Sequence, residues 1–232
     1  EDRGGKLQEH SQEHHQQRHP NHQQGQSQHP QRDAGGCQLK ANNDAALSVE
    51  GAGNTTITLK GSNTLTSGDG HAGLEHNEKS KDDNDDSVDT GKLTITSEKD
   101  SGSLTATGGS GAAGIGSSNG KGTGTIEITG GNGGNGGDNG AGIGSGSGAT
   151  NNTNTNITIS GGTVKAQGGD NGAGIGSGSM ATGNTNIIIS GGTIEEAVGG
   201  STGDGIGGGN SSRNITVRIQ GGTIKKAQGG NG

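Results

Sequence analysis

The chain has 232 residues, of which 55 are glycine, none is Phe, Tyr or Trp, and only 21% are hydrophobic. Its 16 basic and 23 acidic residues give a formal charge of −7. That balance argues against non-specific nucleic-acid binding, which rests on Lys and Arg neutralising phosphate, and the missing rings remove base-stacking platforms. A conventional core built on buried aromatics is excluded too, and no apolar run is long enough to span a membrane.

Residues 1–36 are a Gln- and His-rich block with six of the eight histidines: His10, His14, His15, His19, His22 and His29. The block has too little apolar surface to offset ordering entropy, so it reads as a disordered tail. His-rich tracts bind transition metals, but none of the ligand spacings of a structural metal site occurs here. Cys37 is the single cysteine, so no internal disulfide forms. It is expected as a small core residue of the first coil, the alternative being a free thiol or an intermolecular bridge.

From Cys37 onward apolar and polar residues alternate. Ala45–Val49, Ile57-Thr58-Leu59 and Asn63-Thr64-Leu65-Thr66 read as short strands. Residues 75–90 interrupt them with a charged run that is expected as a solvated surface loop, a cation site among its carboxylates being the sharper alternative. Leu93-Thr94-Ile95-Thr96 and Ser103-Leu104-Thr105-Ala106 resume the strands. Ala113-Gly114-Ile115-Gly116 then recurs as Ala141-Gly142-Ile143-Gly144, Ala173-Gly174-Ile175-Gly176 and Gly205-Ile206-Gly207. After Ile126-Glu127-Ile128, a glycine and asparagine run stands where a strand is expected.

The last third repeats with a fixed step. Ile157-Thr158-Ile159-Ser160-Gly161-Gly162-Thr163-Val164 returns 30 residues on from Ile187, and 30 residues further from Val217. A period of that size marks stacked repeats. Each period holds three short strands with glycine pairs at the corners, which makes one coil of a parallel β-helix. Coils stack about 4.8 Å apart. The general preference of parallel crossovers gives a right-handed coil. Alternation puts Ile157, Ile159, Val164 and Ile175 inside, with Thr158, Ser160, Thr163 and Lys165 outside. Three inner ladders are expected: Ile159-Ile189-Ile219, Val164-Ile194-Ile224 and Ile143-Ile175-Ile206. Asn154, Asn184 and Asn214 are expected to stack outside them. A Thr163-Thr193-Thr223 file is expected on the surface, beside a file of Lys165, Glu195 and Lys225. That second file is charged and uneven, which argues against an ice-binding face.

The Ile-Thr-Ile-Ser-Gly-Gly-Thr-Val and Gly-Ala-Gly-Ile-Gly elements resemble repeats of surface proteins from anaerobic Gram-positive bacteria. Asn54–Leu59, Asn63–Gly68 and Ala72-Gly73-Leu74 are similar to the opening segment of that group. The group in turn resembles carbohydrate-binding parallel β-helix domains of exported proteins. The match covers residues 37–232. It implies a cell-surface location and a glycan partner, but it carries no ligand residue onto this sequence, because its motif positions are core and corner.

Chemistry is less legible. Glycan hydrolysis needs two positioned carboxylates, whereas the outward acids Glu127, Glu195 and Glu196 alternate with Lys165, Lys225 and Lys226 as on a solvated face. Gly133–Asp138 and Gly199–Ile206 partly resemble a nonapeptide that binds Ca²⁺ in bacterial toxin repeats. Asp138 and Asp204 in those segments, and Asp170, which follows a glycine pair equivalent to that before Asp138, are the candidate calcium ligands, with acidic turn residues as the plainer reading. The chain closes at Gly229-Gly230-Asn231-Gly232, where another Ala-Gly-Ile is expected. That reads as a fragment of a longer array, or as an open edge for end-to-end assembly.

The sequence thus predicts an all-β protein with a tail (1–36) and a solenoid (37–232). Its expected role is that of a non-catalytic, extracellular stalk or adhesion module for polysaccharide or surface glycan. It needs no cofactor unless Ca²⁺ is bound, and it has no membrane span. End-to-end filament formation is the alternative, and a polysaccharide-active enzyme comes third.

Overall fold

The computed structural model describes residues 36–78, 91–98, 102–150 and 153–231. Among them every regular element is a strand, and the strands come in threes. The first coil holds β1 (Gln38–Lys40), β2 (Leu47–Ser48) and β3 (Thr55–Leu59). The second holds β4 (Ser62–Thr66), β5 (Leu74–Glu75) and β6 (Lys92–Ser97). The third holds β7 (Ser103–Thr107), β8 (Ile115–Gly116) and β9 (Gly124–Ile128), and the fourth β10 (Asn132–Asn135), β11 (Ile143–Gly144) and β12 (Asn154–Ile159). The fifth holds β13 (Thr163–Gln167), β14 (Ile175–Gly176) and β15 (Asn184–Ile189). The sixth holds β16 (Thr193–Val198), β17 (Ile206–Gly207) and β18 (Ile215–Ile219), and β19 (Thr223–Ile224) and β20 (Ala227–Gln228) begin another.

Each strand pairs in parallel with its counterpart one coil away, which builds three walls. The first wall runs β1-β4-β7-β10-β13-β16-β19, the second β2-β5-β8-β11-β14-β17, and the third β3-β6-β9-β12-β15-β18. The chain is therefore a parallel β-solenoid with three strands per coil, as the thirty-residue period requires.

The interior is a set of aliphatic columns. Ile57, Ile95, Ile128, Ile159, Ile189 and Ile219 occupy one register along the third wall. Leu47, Leu74, Ile115, Ile143, Ile175 and Ile206 do so along the second. Val164, Ile194 and Ile224 line up along the first. The members from the inner coils are fully buried. Burying one such side chain stabilises by about 2–3 kcal/mol, so many small columns replace the missing aromatic core. Asn186 Nδ2 donates to Asn156 Oδ1 at 3.0 Å, and Asn184 Nδ2 to Asn154 Oδ1 at 3.4 Å. Asn214 leaves that file, adopting φ 60° and donating to the Thr182 carbonyl.

The corners explain much of the glycine. Gly144 closes β11 at φ 138°, and a Cβ there would run into the carbonyl oxygen of Gly176 one coil on. Only glycine fits both demands. Beside it the fully buried Ser117, Ser145 and Ser177 form a hydroxyl file. Their Oγ atoms accept the N–H groups of Gly146, Gly178 and Gly209, at 3.0, 3.2 and 3.4 Å.

Several expectations change. Cys37 is exposed rather than part of the core, and its N–H donates to Asn63 Oδ1. It sits on the rim of the first coil, where β1 is the edge strand of its wall. Glu75 and His76, read as the start of a solvated loop, are buried in the second coil. Glu75 accepts from the Ala72 N–H at 3.0 Å and from Asn77 Nδ2 at 2.8 Å, while His76 Nδ1 lies 2.6 Å from the Thr123 carbonyl. The rest of that run from 79 to 90 lies outside the described residues, as does the tail over 1–35. The Gly-Asn run after Ile128 is a strand after all: β10 pairs with both β7 and β13.

Candidate functional site

The outer surface of the first wall is set by alternation. In β7 and β13 the side chains of Ser103 and Thr105, and of Thr163, Lys165 and Gln167, point outward, between buried Leu104, Ala106, Val164 and Ala166. Between them lies β10, with Gly133 in register with Thr105 and Lys165. Gly133 has no side chain to offer, and Gly131 just before it has none either. Over Gly131 and Gly133 this rung of the wall is therefore bare main chain between two rungs that carry side chains. The flanking strands are roughly 10 Å apart, twice the spacing of neighbouring strands, and a groove of about 470 Å³ runs between them.

Two neighbouring glycines of β10 do different jobs. Gly134 faces inward, and a Cβ there would meet the Gly142 carbonyl and the Ile143 side chain. Gly133 faces outward, and its Cβ would lie 3.4 Å from the Leu104 carbonyl oxygen and 3.6 Å from that of Lys165, which is ordinary contact. The inner glycine is required by packing, while the outer one leaves open a space that the fold would let a side chain fill.

At its far end the groove passes Asn135 and Gln167 into a corner recess of about 790 Å³, which also takes in Asp138, Asp170 and Gln228. Two of the candidate calcium ligands, Asp138 and Asp170, thus share one recess. Asp204 does not join them: it lines a separate hollow, and its Oδ2 accepts the Gly208 N–H at 2.9 Å. Among the described residues no group of three or more His, Cys, Asp or Glu side chains is placed to hold a metal ion. Calcium takes 6–8 oxygen ligands, so the pair would need amide, carbonyl or ligand oxygens beside it.

Three outward lysines are paired with glutamates on another coil. Lys92 Nζ meets Glu127 at 2.6 Å, Lys225 meets Glu195 at 2.5 Å and Lys226 meets Glu196 at 3.0 Å. The hydrogen bond and charge of Lys226 hold the Glu196 carboxyl below the usual carboxylate range, and Lys165 adds a smaller pull. The threonine file Thr163-Thr193-Thr223 is present as expected. The file beside it is shifted: a register break after Val164 sets Lys165 against Glu196, not Glu195. Such a bulge inserts one residue into one strand of a pair.

Sequence reasoning missed Gly133, Asn135, Gln167 and Lys165 as a group. The signal was available in the register: aligning β7, β10 and β13 places a glycine at an outward position.

A family model described as a beta helix repeat matches residues 100–119 and 157–179. No curated protein and no solved structure matches the chain. The matched segments contain β7, β8, β13 and β14, and with the three continuous walls they make the chain a parallel β-helix repeat protein.

Proposed function

We propose that this solenoid is a non-catalytic binding module at the cell surface, and that the groove over β10 holds an extended stretch of polysaccharide. The observation that carries the reading is the bare rung: Gly131 and Gly133 form a floor one coil wide, between banks of Ser103, Thr105, Thr163 and Lys165. Hydroxyl and amide side chains on a rigid sheet suit sugar hydroxyls, which both donate and accept. A stiff wall also lowers the backbone ordering cost of presenting those groups. The likeness of the repeats to exported bacterial surface proteins supports the same reading and the extracellular setting. A role as a stalk or adhesion module fits a stack that presents its side walls.

Calcium enters as a bridging ion in the corner recess, where Asp138 and Asp170 stand beside the groove. A glycan array probed with and without EDTA tests both parts. Binding of extended glycans supports the module, and loss in EDTA places calcium in it. An array with no binding under either condition, or release of sugar from a bound polysaccharide, contradicts it.

A further inference from the structure

Resting on the groove reading above, we propose that the sugar it takes is anionic and that Lys165 is the residue that contacts the negative charge. The place of Lys165 on the groove lining points to this. Lys92, Lys225 and Lys226 each reach across to a glutamate on another coil. Lys165 has the same kind of neighbours in register, Gly133 on one side and Glu196 on the other. Gly133 has nothing to offer. The Glu196 carboxylate is held by Lys226 at 3.0 Å. Lys165 is exposed, and among the described residues its ammonium group forms no hydrogen bond or close ion pair, only a weaker pull on Glu196. The same glycine that opens the groove thus leaves on its bank an ammonium group whose one charged neighbour, Glu196, is already bound to Lys226.

The surroundings fit a carboxylate or sulfate. An ammonium is a compact point charge with three donors, and hydrogen bonds between charged groups are about twice as strong as neutral ones. The floor and nearer bank include Gly131, Gly133, Thr105 and Thr163; the acid on the groove lining, Glu196, is bound to Lys226. Asp138 and Asp170 stand further off, in the corner recess beyond Asn135 and Gln167. The net charge of −7 matters here. It repels polyanions in general, so a preference for a charged sugar over its neutral counterpart would have to come from a local contact.

The test is titration calorimetry of the whole chain with three oligosaccharides: an oligogalacturonate, its carboxyl-reduced neutral form, and a sulfated galactan fragment. Wild type, Lys165→Gln, Lys165→Arg and Gly133→Thr are compared, each first checked for a melting midpoint no lower than that of wild type. The proposal expects wild type to bind at least one anionic ligand roughly tenfold more tightly than the neutral one. The Gln variant should lose that preference, and the Arg variant should keep it. The uronate and sulfate arms show which anion is recognised. Equal binding of charged and neutral forms by wild type, or no effect of Lys165→Gln, overturns the anionic assignment. If Gly133→Thr still abolishes binding in that case, the groove reading survives alone. If wild type binds none of the three, both fall.

Discussion

Single glycines in this chain are not equivalent, and their substitution should separate them. Gly144 combines a left-handed φ of 138° with a carbonyl directly in the path of any Cβ. Gly144→Ala is expected to cost about 3 kcal/mol or more, seen as a fall in the urea midpoint. Gly133 sits in a strand at an outward position with room beside it, so Gly133→Thr should leave stability unchanged or raise it by up to about 1 kcal/mol. Ser145 belongs to a third kind of position. Its buried hydroxyl accepts the Gly178 N–H, and Ser145→Ala leaves that donor unpaired at a cost of about 1–3 kcal/mol. A Ser145→Ala protein as stable as wild type would show that the hydroxyl file is dispensable.

At the level of strands, the pairing of neighbours decides more than local composition. β10 reads Asn-Gly-Gly-Asn, a poor strand by propensity, yet it is held between β7 and β13 through main-chain bonds. That is why the sequence did not reveal it: its pattern of side chains is blank, and its partners lie about thirty residues away on either side. The isoleucine columns were legible because identical residues recur at a constant step. Burial of Glu75 was not, since its carboxylate is satisfied by Ala72 and Asn77 through the local shape of a corner. The bulge that sets Lys165 opposite Glu196 escaped for a similar reason, because one extra residue leaves the composition unchanged. Within the columns, Ile189→Asp would bury an unpaired charge and should lower the thermal midpoint and remove the β signal of the adjoining coils. Between coils, Lys226 and to a lesser degree Lys165 depress the Glu196 carboxyl. Its ionised form therefore favours the folded state above the ordinary carboxylate range. That contribution is lost as pH falls through the depressed value. In Lys226→Gln the Glu196 titration, followed by carboxyl NMR, should move upward.

For the molecule as a whole, repetition substitutes for size of side chain. The solenoid, without a single aromatic residue, is stabilised by stacked aliphatics inside and by main-chain bonds along three walls. The walls vary outside while the columns stay constant, so any function must lie where an outward position departs from its neighbours. Of the candidate ligands read from sequence, Asp138 and Asp170 do meet in one recess, because both follow glycine pairs at the same corner. Asp204 is separated because it takes the place of Ala141 and Ala173 in the repeat. The groove itself comes from what β10 lacks, which a search for reactive side chains passes over.

The most direct measurement is the affinity of Gly133→Thr for the glycans that wild type binds on an array. The groove reading predicts at least a tenfold loss of affinity in a protein that melts no lower than wild type. Full binding by that well-folded variant would mean that no ligand occupies the bare rung, and the proposed site would be wrong.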